Sequence, residues 1–212
     1  MKIKEQEMAK VRIAVLVSGG GTNLQAILDA QNSGIIHSGA VEVVISNNAE
    51  AYALTRAANA GVEGLTITKK EYHTQEAFED AIIAALEERA IDLIVLAGFM
   101  SILSERFTRR YDHRILNVHP SLIPSFCGQG FYGLRVHEAA LQKGVKVTGA
   151  TVHFVNEIPD GGEIIAQKAV AVQNGDTPET LQRRVMEEAE WIILPASVEA
   201  VSAVLSKQKD ID

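Results

Sequence analysis

The stretch "RILNVHPSLIPSF", residues 114–126, contains an apolar segment that ends in two polar side chains. The apolar residues predict a short strand, and in an extended chain residues two apart point to the same side. Asn117 and His119 would then leave the same face of the strand end. An amide N–H and a protonated imidazole can both donate hydrogen bonds to an oxygen that becomes negative during acyl transfer, and histidine can move protons near neutral pH. Taken alone, the pair fits a turn asparagine and a packed histidine equally well.

Three consecutive glycines follow the first apolar run, in "SGGGTNL" at residues 18–24. Glycine lets the backbone approach a ligand closely, and the unpaired N–H groups at the start of the next helix attract anions. Gly21, Thr22 and Asn23 are therefore candidates for a phosphate-binding turn, which we favour over a tight turn that binds nothing. The stretch has neither the G-x-G-x-x-G spacing of dinucleotide-binding turns nor the Gly-Lys-Ser/Thr of a P-loop.

Two carboxylates stand at positions that need an explanation. Asp160 lies in "IPDGGE", after an apolar run that carries His153. Held near His119, it would raise the pKa of that histidine and keep it charged. Asp-Gly-Gly is also a common turn sequence, and without a partner Asp160 is better explained as a turn residue. Glu190 stands among apolar neighbours in the last helical pattern, where contact with a ligand amine and a place at the edge of the buried stripe are equally good interpretations.

The composition bounds the class of protein. The 212 residues are 47% apolar and carry a net charge of −7 without a basic cluster, which argues against a nucleic-acid groove. The one cysteine excludes an internal disulfide and indicates a reducing compartment. Zinc-type Cys/His spacing and grouped carboxylates are absent from the sequence, so no metal is expected. The start is too polar for a signal peptide and no apolar run approaches the length of a membrane span, so we expect a soluble, cytoplasmic protein.

The order of apolar and helical patterns predicts one α/β domain. Nearly continuous apolar, β-branched runs alternate with helical patterns, which predicts an open, mostly parallel, Rossmann-like sheet with helices on both faces. Two later runs around a turn-rich stretch predict a C-terminal antiparallel extension. We expect a single domain over residues 1–212, with a polar N-terminal extension at 1–10. The predicted strands are 11–18, 41–47, 64–68, 93–98 and 115–119, and the predicted helices are 23–32, 51–60, 75–89 and 178–206, the last with Leu181, Val185, Ile192 and Ala196 on one stripe.

Four stretches together carry a resemblance to a known family. "SGGGTNLQAI", "VLAGFM", "LNVHPSLIPSFCGQGFYGLRVHEAAL" and "GATVHFV…DGG" closely resemble the phosphoribosylglycinamide formyltransferases, which are folate-dependent enzymes of purine synthesis. The Asn-x-His-Pro-Ser and Asp-Gly-Gly elements are shared by all formyltetrahydrofolate-using transferases and hydrolases. The glycine loop and the "FCGQGFYG" loop narrow the resemblance to the glycinamide enzymes. The resemblance extends over nearly the whole chain and implies the formyltransferase fold.

The resemblance also implies a role for each matching residue. It implies transfer of the formyl group of 10-formyltetrahydrofolate, a co-substrate, to the amine of glycinamide ribonucleotide. Asn117, His119 and Asp160 match the catalytic trio of the family. Ribonucleotide binding is implied for Gly21, Thr22, Asn23 and Glu190. Folate binding is implied for Gln75, Met100, Ser101, Ile102, Leu103, Asn117, Asn156, Glu157, Ile158, Pro159 and Asp160.

Other functions have to be separated from this one. The nearest are a formyltetrahydrofolate hydrolase and a formyltransferase that acts on another amine, such as methionyl-tRNA. The glycine loop alone would fit a nucleotide-binding oxidoreductase, which needs an acidic residue after the second strand, where Glu50 is the only candidate. A non-catalytic binder is the fourth possibility. The expected partners are the two small-molecule substrates, without nucleic acid or membrane, and a homodimer is left open.

Overall fold

The computed structural model describes residues 10–209, whose strands form one seven-stranded sheet in the order β3-β2-β1-β4-β5-β6-β7. Apart from Lys10, the predicted N-terminal extension lies outside the described residues. The strands are β1 (Val11–Val17), β2 (Gly39–Ser46), β3 (Glu63–Thr66), β4 (Leu93–Leu96), β5 (Ile115–His119), β6 (Val147–Phe154) and β7 (Ile164–Ala171). The helices are α1 (Thr22–Asn32), α2 (Tyr52–Asn59), α3 (Gln75–Glu88), α4 (Glu105–Arg110), α5 (Leu134–Lys143), α6 (Pro178–Val185) and α7 (Trp191–Lys209), with a π-helical turn at Met186–Glu190 between the last two.

The strand pairing confirms the predicted fold class. All pairs from β3 to β5 are parallel, whereas β6 pairs antiparallel with both β5 and β7. The parallel strands are joined by helices, as the crossover connection between such strands requires. The predicted boundaries of β1 to β5 and of α1 to α3 agree with the structure to within two residues. The short helix α4 was not predicted; its first turn is capped by the Ser104 side chain, which accepts a hydrogen bond from Phe107 N.

The sheet is buried on both faces, which explains why its central strands read as continuous apolar runs. In β1, Ile13 and Val15 pack into a cluster that includes α1 and α7. Ala14 and Leu16 point to the other face and pack into a cluster built with α3 and α4. Because successive side chains of β1 point to opposite faces of the sheet, the strand contributes to both layers of the core, as expected for a parallel sheet covered by helices.

The long last helix departs from the prediction in its buried stripe. The predicted helix 178–206 is interrupted by the wide turn Met186–Glu190. Up to Val185 the stripe is buried as predicted, but Ile192 is 51% exposed and Ala196 is also exposed, while Ile193 is buried. A π turn accommodates one more residue than an α turn, so the apolar face continues one position later than a uniform period predicts.

The same helical stretch corrects a second expectation. From Pro178 to Lys209 it is long and apolar enough, by length and composition alone, to cross a membrane, whereas we expected no such run. Half of its most apolar window is buried inside the protein, and Leu194 and Val198 are fully buried against the sheet. Core helices have this same composition because they too are surrounded by apolar groups. The burial identifies the stretch as the core helix of an α/β layer.

Candidate active site

The polar end of β5 gains a third polar group from the strand beside it. In the antiparallel register of β5 and β6, Asn117 lies opposite His153. Asn117 Nδ2 and His153 Nε2 are 3.2 Å apart, within hydrogen-bond distance. His153 stands on a predicted run, but no role was predicted for it. A histidine on the neighbouring strand could have been recognised as a site residue only if the register between β5 and β6 had been known.

Asp160 lies between the two histidines. Its Oδ2 is 3.4 Å from His119 Nδ1, and its Oδ1 is 3.6 Å from His153 Nε2. The backbone N–H of Gly128 donates a hydrogen bond to the same Oδ2 at 2.8 Å. Asp160 adopts a left-handed φ of 55°, which aspartate tolerates better than most residues, so it is a turn residue and a partner of His119 at once. The structure therefore provides the partner without which the turn interpretation was preferred.

Backbone carbonyls fix one proton on each histidine. Phe126 O lies 2.8 Å from His119 Nε2, and Phe154 O lies 2.7 Å from His153 Nδ1. A carbonyl oxygen can only accept, so the facing ring nitrogen carries a proton in each case. The other ring nitrogens, His119 Nδ1 and His153 Nε2, are the two that face Asp160.

The electrostatics correct one expectation about His119. Burial lowers its pKa, and this effect outweighs the negative charge of Asp160 and the Phe126 carbonyl, which both raise it. The net pKa of His119 is therefore below its usual value, although Asp160 acts in the predicted direction. Burial would raise the pKa of Asp160, but His153, the charge of His119 and the Gly128 N–H together lower it. Burial therefore disfavours the charged form of His119, and the groups around Asp160 favour its ionised form.

A cavity of about 140 Å³ opens beside these side chains. Leu96, Phe99, His153 and Val155 line it without having been predicted. Of the residues expected to bind folate, neither Gln75 nor the 54% exposed Met100 lines the cavity, and the buried His119 of the catalytic trio does not line it either. The predicted residues that do line it are Ser101, Ile102, Leu103, Asn117, Asn156, Glu157, Ile158, Pro159 and Asp160.

The glycine loop combines a packing requirement with open space. Gly21 has φ 71°, and a Cβ placed there would lie 2.7 Å from Ala53 Cβ in α2, so this position needs glycine for the fold. A Cβ on Gly19 or Gly20 would meet no atom of residues 10–209 within 4 Å. Gly21 is also the N-cap of α1, and no side chain in the described part of the chain caps that helix, so the first N–H groups of α1 are left for another acceptor. Packing thus explains one glycine, and the other two border open space.

Glu190 is brought to this loop by the π turn. Asn23 Nδ2 donates a 2.7 Å hydrogen bond to Glu190 Oε2, and the Glu190 side chain is almost completely buried. Burial raises the pKa of Glu190 to about 7, although the bond from Asn23 lowers it. Asn23 Oδ1 is buried and has no hydrogen-bond partner within residues 10–209. The pair therefore presents an acceptor oxygen and a titratable carboxyl group beside the N-terminus of α1.

A larger cavity lies beside the helix that follows the glycine loop. A groove of about 570 Å³ runs between α1 and the start of α7, and of the predicted site residues only Thr22 lines it. Among the described residues, 10–209, no group of three His, Cys, Asp or Glu side chains is arranged to hold a metal ion. The other residues around the groove are Gln25, Ala26, Asp29, Ala30, Ser33, Ile35, Arg56, Trp191, Ile192 and Pro195.

The fold and the site define the class of protein. The family described as formyl transferase matches residues 11–198, so the chain belongs to the formyl transferase family. Within that family it is similar to phosphoribosylglycinamide formyltransferases, which confirms the resemblance predicted from its motifs. That of Haemophilus influenzae is 44% identical over 184 residues, covering 87% of this chain and 84% of the relative.

Two further comparisons agree with this assignment. Glycinamide ribonucleotide transformylase 1 from Symbiobacterium toebii superposes with a TM-score of 0.88 at 43% identity, covering 96% of this chain and 92% of that one. The human trifunctional purine biosynthetic protein adenosine-3 is 46% identical over 200 residues, which is 93% of this chain but 19% of the relative. The chain thus spans about a fifth of the length of the trifunctional vertebrate relatives it matches.

Proposed function

We propose that this protein transfers the formyl group of 10-formyltetrahydrofolate to the amine of glycinamide ribonucleotide, a step of de novo purine synthesis. One observation carries the proposal. Asn117 and His119 at the end of β5 converge with Asp160 beside a cavity, with the contacts of Asn117 and Asp160 to the two histidines between 3.2 and 3.6 Å long. An amide donor, an imidazole with a free nitrogen and an ionised carboxylate are the groups that acyl transfer to an amine requires.

The geometry suggests how these groups share the reaction. The substrate amine attacks the N10-formyl carbon, and Asn117 Nδ2 donates to the oxygen as it becomes negative. The Nδ1 atom of His119 takes a proton from the attacking amine, and the resulting imidazolium is stabilised by Asp160. The same proton passes to N10 as the bond between the formyl carbon and N10 breaks. The products are the formamide and tetrahydrofolate, so atoms and charge balance.

The cavity beside Asn117 supports a place for the folate. Segments from two loops form its walls, with Ser101 to Leu103 on one side and Asn156 to Asp160 on the other. Leu96, Phe99 and Val155 add apolar surface to its lining, as a flat heteroaromatic ring requires. The carboxylate of Asp160 and the amide of Asn117 supply the few polar groups that would orient the ring.

The glycine loop supports a place for the ribonucleotide. The uncapped N-terminus of α1 offers N–H groups to the phosphate, and Gly19 and Gly20 leave room for it. Asn23 Oδ1 and the Glu190 carboxyl group can accept hydrogen bonds from hydroxyl or amine groups of the same molecule. We therefore place the phosphate at the loop and the reactive amine toward β5.

An assay of folate release separates this function from its rivals. The protein is incubated with 10-formyltetrahydrofolate, with and without glycinamide ribonucleotide, and tetrahydrofolate is measured. The proposal expects release only when the ribonucleotide is present. Release without an amine would instead identify a hydrolase, and no release in either mixture would identify a binder or an enzyme of another class.

A further inference from the structure

The segment 100–104, which forms one wall of the proposed folate cavity, is attached to the ends of two other strands. The Met100 backbone N–H donates to Ser18 Oγ at 2.8 Å. Asn47 Nδ2, just after β2, donates to Ser101 Oγ at 2.8 Å. Asn48 Nδ2 approaches the Ser18 carbonyl at 3.3 Å. The wall of the cavity therefore takes its position from residues that follow β1 and β2.

Ser18 belongs to the glycine loop as well. It is the first residue of "SGGGTNL", and the next carbonyl along the loop, Gly19 O, accepts a hydrogen bond from Ala53 N of α2. A ligand that binds the N–H groups of this loop would restrict Ser18 together with the loop. Because Ser18 Oγ accepts from Met100 N, that restriction reaches the segment 100–104 through one hydrogen bond.

A second anchor holds the same segment from α3 and is independent of the glycine loop. Gln75 Nε2 donates to Ile102 O at 3.1 Å and to Glu79 Oε1 at 2.7 Å. The carboxylate of Glu79 is fully buried and also accepts from the backbone N–H of Ser104 at 2.7 Å. Gln75 therefore supports the wall of the cavity from behind. This anchor provides a matched control for the contacts to Ser18 and Asn47.

We propose that Ser18 and Asn47 are positioning residues that couple the two substrate sites. Ribonucleotide at the glycine loop orders Ser18, which orders the segment 100–104, so folate then binds a wall that is already restricted. Binding to a protein that a first ligand has rigidified is favoured without a change of structure. The coupling is reciprocal, and a factor of about five or more is typical of such coupling between sites. This inference rests on the proposed function.

The test measures tetrahydrofolate affinity by calorimetry, with and without glycinamide ribonucleotide, in the wild type and in three variants. In the wild type the ribonucleotide should tighten tetrahydrofolate binding by about five-fold or more. In Ser18→Ala and in Asn47→Ala that ratio should fall toward one. In Gln75→Ala folate binding should weaken in both states while the ratio persists. Hydrogen exchange at the Met100 amide should slow on adding the ribonucleotide in the wild type and not in Ser18→Ala.

The results distinguish failure of the coupling from failure of the proposed function. A ratio near one in the wild type, an unchanged ratio in Ser18→Ala or an equal loss in Gln75→Ala would overturn the coupling while formyl transfer still proceeds. No binding of tetrahydrofolate to the wild type in either state would overturn the proposed function and the coupling together. Thermal melting of each variant shows whether it is folded, and Asn47→Ala gives an independent result if Ser18→Ala is not.

Discussion

Glu190 gives the sharpest quantitative prediction, because its carboxyl group is buried with one hydrogen-bond donor. Burial raises its pKa from 4.5 to about 7. In Glu190→Gln the side chain keeps an oxygen that accepts from Asn23 but can no longer ionise. The buried carboxylate destabilises the folded wild type wherever it is ionised, and the variant removes that effect.

The sign and the magnitude of the stability difference follow from the pKa values of Glu190 in the unfolded and in the folded protein. A carboxyl group with a raised pKa gives stability that is present below its unfolded value, 4.5, and is lost as the pH rises through about 7. At about 1.4 kcal/mol per pKa unit, the rise corresponds to about 3 kcal/mol. The free energy of unfolding of Glu190→Gln at pH 8 should therefore be about 3 kcal/mol higher than that of the wild type. The two proteins should differ little at pH 4.

Urea unfolding at a series of pH values measures this difference. Glu188→Gln is the matched control, because Glu188 lies in the same π turn and is exposed, so its removal should change little. Glu190→Gln should also bind glycinamide ribonucleotide less tightly than the wild type, because buried site residues often support function at a cost in stability. Equal unfolding free energies for Glu190→Gln and the wild type at pH 8 would refute the raised pKa on which the argument depends.

Two further predictions concern burial and packing near the site. His137 is fully buried with neither ring nitrogen paired within the described residues, and burial, followed by the charge of His119, lowers its pKa from 6.5 to about 4. The stability that neutral His137 gives is present above pH 6.5 and is lost as the pH falls to about 4. Over that interval the unfolding free energy of His137→Gln, measured in urea titrations, should fall by about 3 kcal/mol less than that of the wild type. The same dependence of unfolding free energy on pH in both proteins would contradict this. Gly21→Ala should destabilise by about 1–3 kcal/mol, because φ is 71° and Ala53 is too close, whereas Gly20→Ala should unfold like the wild type but bind the ribonucleotide less tightly. Equal melting temperatures of the two glycine variants would show that the close contact with Ala53 is not a constraint.

The sequence was sufficient for the sheet because burial on both faces leaves a plain signal. Strands β1, β2 and β4 read as nearly continuous apolar runs, whereas the exposed edge strand β3 gave a weaker signal, and helices α1 to α3 showed their own period. The sequence also singled out one strand end as a candidate site, since Asn117 and His119 interrupt an apolar run where a simple stop needs neither, and the structure brings Asp160 and His153 to the same place. What it could not give was the antiparallel register of β6, which places His153 opposite Asn117.

The remaining differences between prediction and structure arise from local backbone geometry, from burial and from a side-chain contact. The π turn at Met186–Glu190 shifts the buried stripe of the last helix by one residue, and a uniform helical period cannot anticipate such a turn. The net pKa of His119 was misjudged because the attraction of Asp160 could be foreseen from the motif, whereas the depth of burial could not. Folate binding by Gln75 stays a prediction, and the sequence did not show that its amide donates to Ile102 O in the wall of the cavity.

The most direct test of the central claim is the rate of formyl transfer from 10-formyltetrahydrofolate to glycinamide ribonucleotide in Asn117→Ala, His119→Ala and Asp160→Asn. Removing one oxyanion donor such as Asn117 typically lowers kcat by about 10²–10³, and removing a general acid–base group such as His119 typically lowers it by about 10²–10⁴. The account predicts a loss of at least that order in each variant, with circular dichroism and melting temperature showing that the fold is retained. Near-normal turnover in any folded variant of the three would contradict the assignment of that residue to the reaction.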